Sequence, residues 1–204
     1  MLFKVADGIE KERSKMFLKR KTRDLPVAVT DRLEHELQES VLGQDSRTLS
    51  DEELAKRFNL SLEIDDSLPY DTEAVLDKPD RPDVFGTIRV KQKYKASQFS
   101  CVHEIIHYVF DVGPGKSVET KYTRKAQGYT QDLKEQKTNY MAAAYIIPYD
   151  KLYNDLREFY QTYPRDESRF IVKMCKKYNQ PRVAVLRRIR EIKRLAASRK
   201  QSLK

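Results

Sequence analysis

The sequence predicts a mainly helical α+β fold with a small antiparallel sheet and a C-terminal helical hairpin. Three observations carry this. Apolar residues recur at three-to-four spacing along most of the chain, one clear period-two run occupies Val84 to Tyr94, and Pro, Gly and Asp gather between these stretches. With 204 residues, 39% of them hydrophobic, the chain can bury one substantial core, so one compact domain with helical extensions is expected. We divide it into an N-terminal helical arm over 1–48, a core over 49–164 and a basic hairpin over 165–204.

The first fifty residues are rich in charge, with Ile9 to Lys21 and Val29 to Leu42 spaced as helices on either side of Pro26. They read as an arm that packs on the core or meets a partner. Ser50 and Glu53 occupy capping-box positions and open a short helix running to Phe58 and Asn59. Residues 61–83, rich in Asp and Pro, predict short strands and loops. Val84 to Tyr94 follows as a strand, with Gly86, Ile88 and Val90 on one face and Thr87, Arg89 and Lys91 on the other. Ser97 to Phe110 predicts a helix in which Ser97 is a candidate N-cap and Phe99, Val102, Ile106 and Val109 with Phe110 make an apolar stripe. Val112 to Gly128, containing Gly113-Pro114-Gly115, predicts a loop. A helix beginning near Gln131 is ended by Pro148, and Asp150 caps another that runs to about Tyr160.

The tail predicts helices over 166–178 and 181–197, with Pro181 at a first helical position. In the second, Val185, Ile189, Ile192 and Ala196 form one apolar stripe, and Arg187, Arg188, Arg190 and Arg194 populate the remaining surface. A plain hairpin is favoured over a DNA-reading pair. A recognition helix needs exposed polar residues at its start, and Arg182-Val183-Ala184-Val185 offers few.

His103-Glu104-Ile105-Ile106-His107 carries the chemistry. On a helix, the i, i+4 spacing puts both imidazoles on one face, where a divalent metal can bridge them, and Glu104 is placed to act as a general base. Catalytic zinc takes three protein ligands and keeps its fourth position open, so a third ligand is required. The longer metzincin motif is excluded, because Phe110 and Gly113 stand where it needs Gly and His. Asp111 is on the same helix, but a residue two turns from His103 lies roughly 12 Å along the axis, too far for one metal. His35, the remaining imidazole, belongs to a charged stretch far upstream. Glu135, 28 residues past the second His, is the better candidate. It shares a helix face with Asn139, and Ala142, Ala143 and Ala144 permit the close approach of two helices. On these grounds alone, a solvated charge run is the commoner meaning of Glu135.

Taken together, Phe99 to His107, Glu135-x-x-x-Asn139-Tyr140-Met141-Ala142-Ala143 and Ile146-Ile147-Pro148 resemble the ImmA/IrrE family of zinc metallopeptidases. That family pairs an F-T-x-A-H-E-x-G-H helix with a later E-x-x-A-N-x-F-A-A-x-L-L-M-P helix. The match is specific over about residues 83–150, weaker over 165–196 and absent over the first fifty. The resemblance implies a zincin-like core with one zinc ion per chain held by His103, His107 and Glu135, and Glu104 as catalytic base. It implies that Asn139 hydrogen-bonds a metal-bound imidazole. It also implies a protein substrate, a helix-turn-helix transcriptional repressor whose cleavage releases genes of a mobile element or a stress response. Ile106 in place of the usual Gly and Thr138 in place of the usual Ala depart from the pattern, so helix packing or room for substrate is expected to differ. Metallopeptidases of this build keep an edge strand before the metal helix that binds an extended peptide by main-chain hydrogen bonds. Val84 to Tyr94 would fill that role, although an ordinary strand reads the same. A transition-state donor is expected among Tyr122, Tyr129, Tyr140 and Tyr149.

Composition limits the remaining classes. Mean hydropathy is −0.75 and 35% of residues are charged, with no apolar run approaching a membrane span and no signal-peptide pattern over Met1 to Glu10, so a cytoplasmic protein is expected. Two cysteines 74 residues apart fit reduced thiols, and Cys101 reads as a buried core thiol. The net charge of +9 is uneven: 165–204 carries +11, 1–50 carries +1 and the middle −3. Two other readings stay open. One is a DNA-binding or repressor-binding regulator with a non-catalytic zinc site, its basic C-terminal helices making weak nucleic-acid contacts. The other is a metal hydrolase acting on something other than peptide.

Overall fold

In the computed structural model, residues 24–43, 49–95, 98–125, 132–163 and 166–201 are described. The expected helix over Ile9 to Lys21, together with Ser97 and Tyr129, lies outside them. Helix α1 (Val27–Glu39) is followed by α2 (Asp51–Arg57), where the expected capping box forms. The Ser50 hydroxyl accepts from the Glu53 amide at 3.2 Å, and the Glu53 carboxylate accepts from the Ser50 amide at 2.8 Å. Strands β1 (Leu60–Ile64), β2 (Thr72–Asp77) and β3 (Gly86–Val90) lead into a single helical turn α3 (Gln92–Lys95) and helix α4 (Phe99–His107). A short π-helical segment, Tyr108–Val112, extends α4. Strand β4 (Tyr122–Lys125) precedes α5 (Leu133–Ile146), α6 (Tyr149–Thr162), α7 (Glu167–Tyr178) and α8 (Arg182–Gln201).

The four strands form one sheet in the order β1-β3-β2-β4. The β2–β3 and β2–β4 pairs are antiparallel as expected, but β1 and β3 run parallel, with Leu60 opposite Gly86 and Ile64 opposite Val90. The sheet is therefore mixed. Chain β1 does not turn back on itself; β2 and β3 form the hairpin, and β3 returns beside β1 in the same direction.

Two strand expectations are corrected. The run from Val84 shortens to Gly86–Val90 and occupies the sheet interior instead of an edge. Burial of Gly86, Thr87, Ile88 and Val90 shows why: side chains on both faces are covered, as suits a central strand. Gly86 admits no side chain, because a Cβ there would stand 2.6 Å from Val118 Cγ2 and 3.2 Å from the Asp77 carbonyl. The stretch expected to be a loop over 112–128 contains β4, which forms an edge of the sheet and pairs with β2 through an irregular register between Thr72 and Ala74.

Two apolar cores result. The first gathers α1, the sheet, α4 and α5 around Leu33, Leu37, Ile88, Ile105, Tyr140 and Met141. Ile106, in place of the small residue of the family pattern, is buried in this core, and Thr138 is buried with its hydroxyl donating to the Lys134 carbonyl. The second core joins α6, α7 and α8 around Leu152, Phe170, Met174, Val185, Ile189 and Ile192. Arg188, expected on the solvated side of α8, is instead fully buried and ion-paired with Glu34 of α1. Residues 24–43 are thus packed into the body of the molecule. Cations of the basic end meet acids elsewhere in the chain: Arg194 with Asp24 before α1, Arg199 with Asp31 of α1, Lys177 with Asp155 of α6 and Lys193 with Glu167 of α7. Among the described residues, no helix is long and apolar enough to cross a membrane.

Candidate metal centre

Helix α4 is enclosed around almost its whole circumference, polar residues included: every residue from Ser100 to His107 is buried. It begins at Gln98, held in the left-handed region at φ 57° with no side-chain capping bond. The i, i+4 spacing then brings His103 and His107 side by side, with Nε2 atoms 3.1 Å apart. Glu135 arrives from the first turn of α5, which Asp132 caps by accepting from the Lys134 amide at 2.8 Å. Its two carboxylate oxygens lie 3.2 Å from His103 Nε2 and 3.0 Å from His107 Nε2.

These three distances allow a test of fit. Ligands placed 2.0–2.1 Å from a tetrahedral zinc stand about 3.3 Å from one another. The two Nε2 atoms 3.1 Å apart, with one Glu135 oxygen 3.2 Å from His103 and the other 3.0 Å from His107, are close to that spacing. Two imidazoles and one carboxylate also form the donor set of an open catalytic site. A second feature agrees. Glu104 is fully buried next to the ligands, yet neither of its carboxylate oxygens has a hydrogen-bond partner among the described residues. A buried carboxylate without donors costs free energy unless something else uses it.

The charges around the site are arranged in opposition. Burial pushes the Glu104 carboxyl up to about 7. Burial likewise lowers His103 to about 4, and the Arg124 guanidinium adds to that effect. Burial also pulls on His107, but the Asp111 and Glu135 carboxylates outweigh it and raise this imidazole to about 9. Glu135 is held well below the usual carboxylate range, because the two imidazoles overcome its desolvation. Without metal, the proton that His107 Nε2 shares with the Glu135 carboxylate stands on the side of the ring where a cation would bind. Metal uptake should displace it.

Each imidazole is braced from behind by a group that the sequence did not reveal. The π-helical segment closes with the Gly113 amide donating to the Tyr108 carbonyl at 2.8 Å, and it presents Asp111 Oδ2 2.5 Å from His107 Nδ1. The position of Asp111 fits the orienting carboxylate that fixes a metal-binding imidazole through its other nitrogen. On the other side, Arg124 Nη1 lies 3.2 Å from His103 Nδ1 and donates to Asn139 Oδ1 at 2.5 Å. Arg124 Nε donates to Glu73 at 2.7 Å, and the Ser100 hydroxyl donates to the same carboxylate. The hydrogen bond expected from Asn139 to an imidazole is not present among the described residues; its oxygen accepts from Arg124. The charged, longer Arg124 takes its oxygen and stands between them. Truncating the His107 brace, in Asp111→Ala, is expected to weaken metal affinity by about 10–100-fold, measured by titration against a competing chelator.

Of the candidate donor tyrosines, Tyr122 on β4 stacks on His107 with ring centroids 4.8 Å apart. Tyr140 is instead buried against Glu34, and Tyr149 stacks on Tyr153 in the second core. His35 pairs with Glu39 on exposed α1 surface. Among the described residues, His103, His107 and Glu135 form the one group of three or more His, Cys, Asp or Glu side chains close enough to share an ion. The two cysteines are free, and Cys101 is buried in the first core.

Residues 69–190, from just before β2 into α8, match the family model described as Peptidase_M78, the IrrE N-terminal-like domain. No curated protein and no solved structure matches the chain.

Proposed function

We propose a specific reaction for this chain, which belongs to the IrrE N-terminal-like family of peptidases: zinc-dependent hydrolysis of an internal peptide bond in a protein substrate. The observation that carries the reading is the convergence of two imidazole nitrogens and one carboxylate at near-tetrahedral spacing, beside a buried carboxylate with no hydrogen-bond partner among the described residues. His103 and His107 would hold the ion through Nε2 and Glu135 through a carboxylate oxygen. When bound, zinc supplies Lewis acidity, drawing charge from the scissile carbonyl and bringing the pKa of water to about 7.

The remaining work falls to the chain. Glu104 accepts a proton from the attacking water and delivers it to the leaving amine, a task for which a pKa near neutrality is well matched. Asp111 fixes the His107 ring, and Glu73 with Arg124 fixes the region behind His103. Strand β4 passes the centre with one edge that no strand pairs among the described residues, and this edge, in place of β3, offers main-chain hydrogen bonds to an extended peptide. The substrate we propose is a helix-turn-helix transcriptional repressor, whose cleavage derepresses genes of a mobile element or a stress response. Support for that identity comes from the sequence resemblance over Phe99 to His107 and Glu135 to Pro148.

Elemental analysis tests the metal reading. The wild type is expected to hold about one zinc per chain after reconstitution, and Glu135→Ala and His107→Ala to hold almost none. Wild-type protein that takes up no zinc would sink the proposal.

A further inference from the structure

We propose that a cleft of about 380 Å3 beside the metal centre is a specificity subsite that receives a large apolar side chain of the cleaved polypeptide. This rests on the peptidase reading above. The cleft opens between the N-terminal ends of α4 and α8 and the flank of α5. Phe99, Ala143, Val183 and Ala184 supply apolar walls, and Arg124 and Asn139 form the side nearest His103. Such a volume, mostly apolar with a few convergent polar groups, is typical of ligand sites. Val183, at the start of α8, is 69% exposed and leaves apolar surface uncovered at the cleft.

Position identifies the occupant as part of the substrate. Glu135, Asn139 and Ala143 follow one another at i, i+4, i+8 on α5, so the cleft begins about 6 Å along the helix from the metal ligand and reaches about 12 Å. An extended peptide advances about 3.3 Å per residue, which brings a side chain two or three positions from the scissile bond into the cleft. Strand β4 gives the peptide its direction. Tyr122 stacks on His107, and Arg124, two residues on, touches His103 and lines the cleft, so a chain added to this edge passes the metal centre and then the cleft. Alternate side chains of that chain point inward.

Charge decides the class of side chain. Every ionised group in the lining is already paired within the protein: Arg124 with Glu73, Arg187 with Glu191 and Arg188 with Glu34. A charged side chain entering the cleft would lose its hydration and find no free counter-charge, whereas an apolar one loses nothing on leaving water. The C-terminal helix α8 therefore acts as a wall of the substrate site.

The test uses the zinc-loaded full chain and a synthetic peptide library randomised one position at a time, with cleavage sites read by mass spectrometry. The wild type is expected to select large apolar residues two or three positions from the cleaved bond. Val183→Glu, which places a charge in an exposed wall, and Ala143→Leu, which fills the cleft, are expected to lower kcat/KM on the preferred peptide at least about tenfold. Zinc content should be unchanged. Val172→Glu on α7, where Val172 is also exposed, serves as the control and should behave as wild type. Cleavage without an apolar preference at those positions, or full kcat/KM in both cleft variants, overturns the subsite while leaving the peptidase reading intact. A zinc-loaded wild type that cleaves no peptide overturns the peptidase reading and the subsite with it.

Discussion

Glu104→Gln is expected to lose about 10²–10⁴-fold in kcat while retaining its zinc, and to make the metal-free protein more stable at neutral pH. The first effect follows from the mechanism. The amide is nearly isosteric with the carboxylate but cannot accept and return a proton, and Glu104 is not among the three side chains grouped to hold the metal. The second follows from linkage. Burial lifts the Glu104 carboxyl from 4.5 to about 7, so the unfolded chain releases this proton at lower pH than the folded one. A folded pKa above the unfolded value means that stability is fully present below about pH 4.5 and lost as pH rises through about 7. Glutamine carries no such dependence, so the advantage of the variant should grow across that window to on the order of 3 kcal/mol. Urea unfolding of both metal-free proteins at pH 4.5 and pH 8, beside single-turnover rates for the loaded ones, checks the pair of effects. A variant that still cleaves at the wild-type rate would remove Glu104 from the mechanism.

Much of this centre was legible because its signals are local. The i, i+4 spacing of His103 and His107 survives from sequence to structure without help from the rest of the fold. The helical character of α4 and α5 and the capping box at Ser50 are of the same kind. Joining Glu135 to the histidines took more, since 28 residues separate them and only family likeness made the link before the geometry did. The groups behind the imidazoles depend on tertiary structure. Glu73 and Arg124 meet because β2 and β4 pair, and nothing local in either residue signals a partner 51 positions away. Asp111 stands at i+4 from His107, a spacing that makes it a neighbour of that imidazole without telling a metal ligand from a brace on the ring. Edge and interior strands were confused for a related reason: Gly86 to Val90 alternates as an edge strand would, and only the positions of β1 and β2 bury both of its faces. Arg188 shows the limit of helical periodicity, since its position beside the apolar stripe of α8 is decided by the acid that α1 brings to it.

That acid carries the second large expected effect. Glu34→Ala is expected to destabilise the protein by about 3–5 kcal/mol, because it leaves a buried guanidinium without its main counter-charge. Glu34 and Arg188 are 2% and 0% exposed, and their ion pair joins α1 to α8. Tyr140 of α5 donates to the same carboxylate at 2.8 Å, so three helices drawn from distant parts of the chain converge on one side chain. Once Glu34 is gone, Arg188 keeps the Ile147 carbonyl at 2.9 Å, a long contact to Glu191 at 3.4 Å and the face of the Tyr140 ring at 5.2 Å, and the Tyr140 hydroxyl loses its acceptor. Against a typical total of about 5–15 kcal/mol, the loss is a large fraction, equivalent to on the order of 10 °C in Tm. The comparison that isolates the cause is the double variant Glu34→Leu with Arg188→Met. Removing both charges removes the unpaired one, so it should recover most of the lost stability. Urea unfolding of the three proteins decides the matter. If Glu34→Ala lies within about 1 kcal/mol of wild type, the pair does not clamp the helices, and α1 is held by its apolar face alone. If the double variant recovers stability but cleaves apolar peptides poorly, the clamp's importance lies in seating α8 as a wall of the cleft, a consequence that zinc content alone would not reveal.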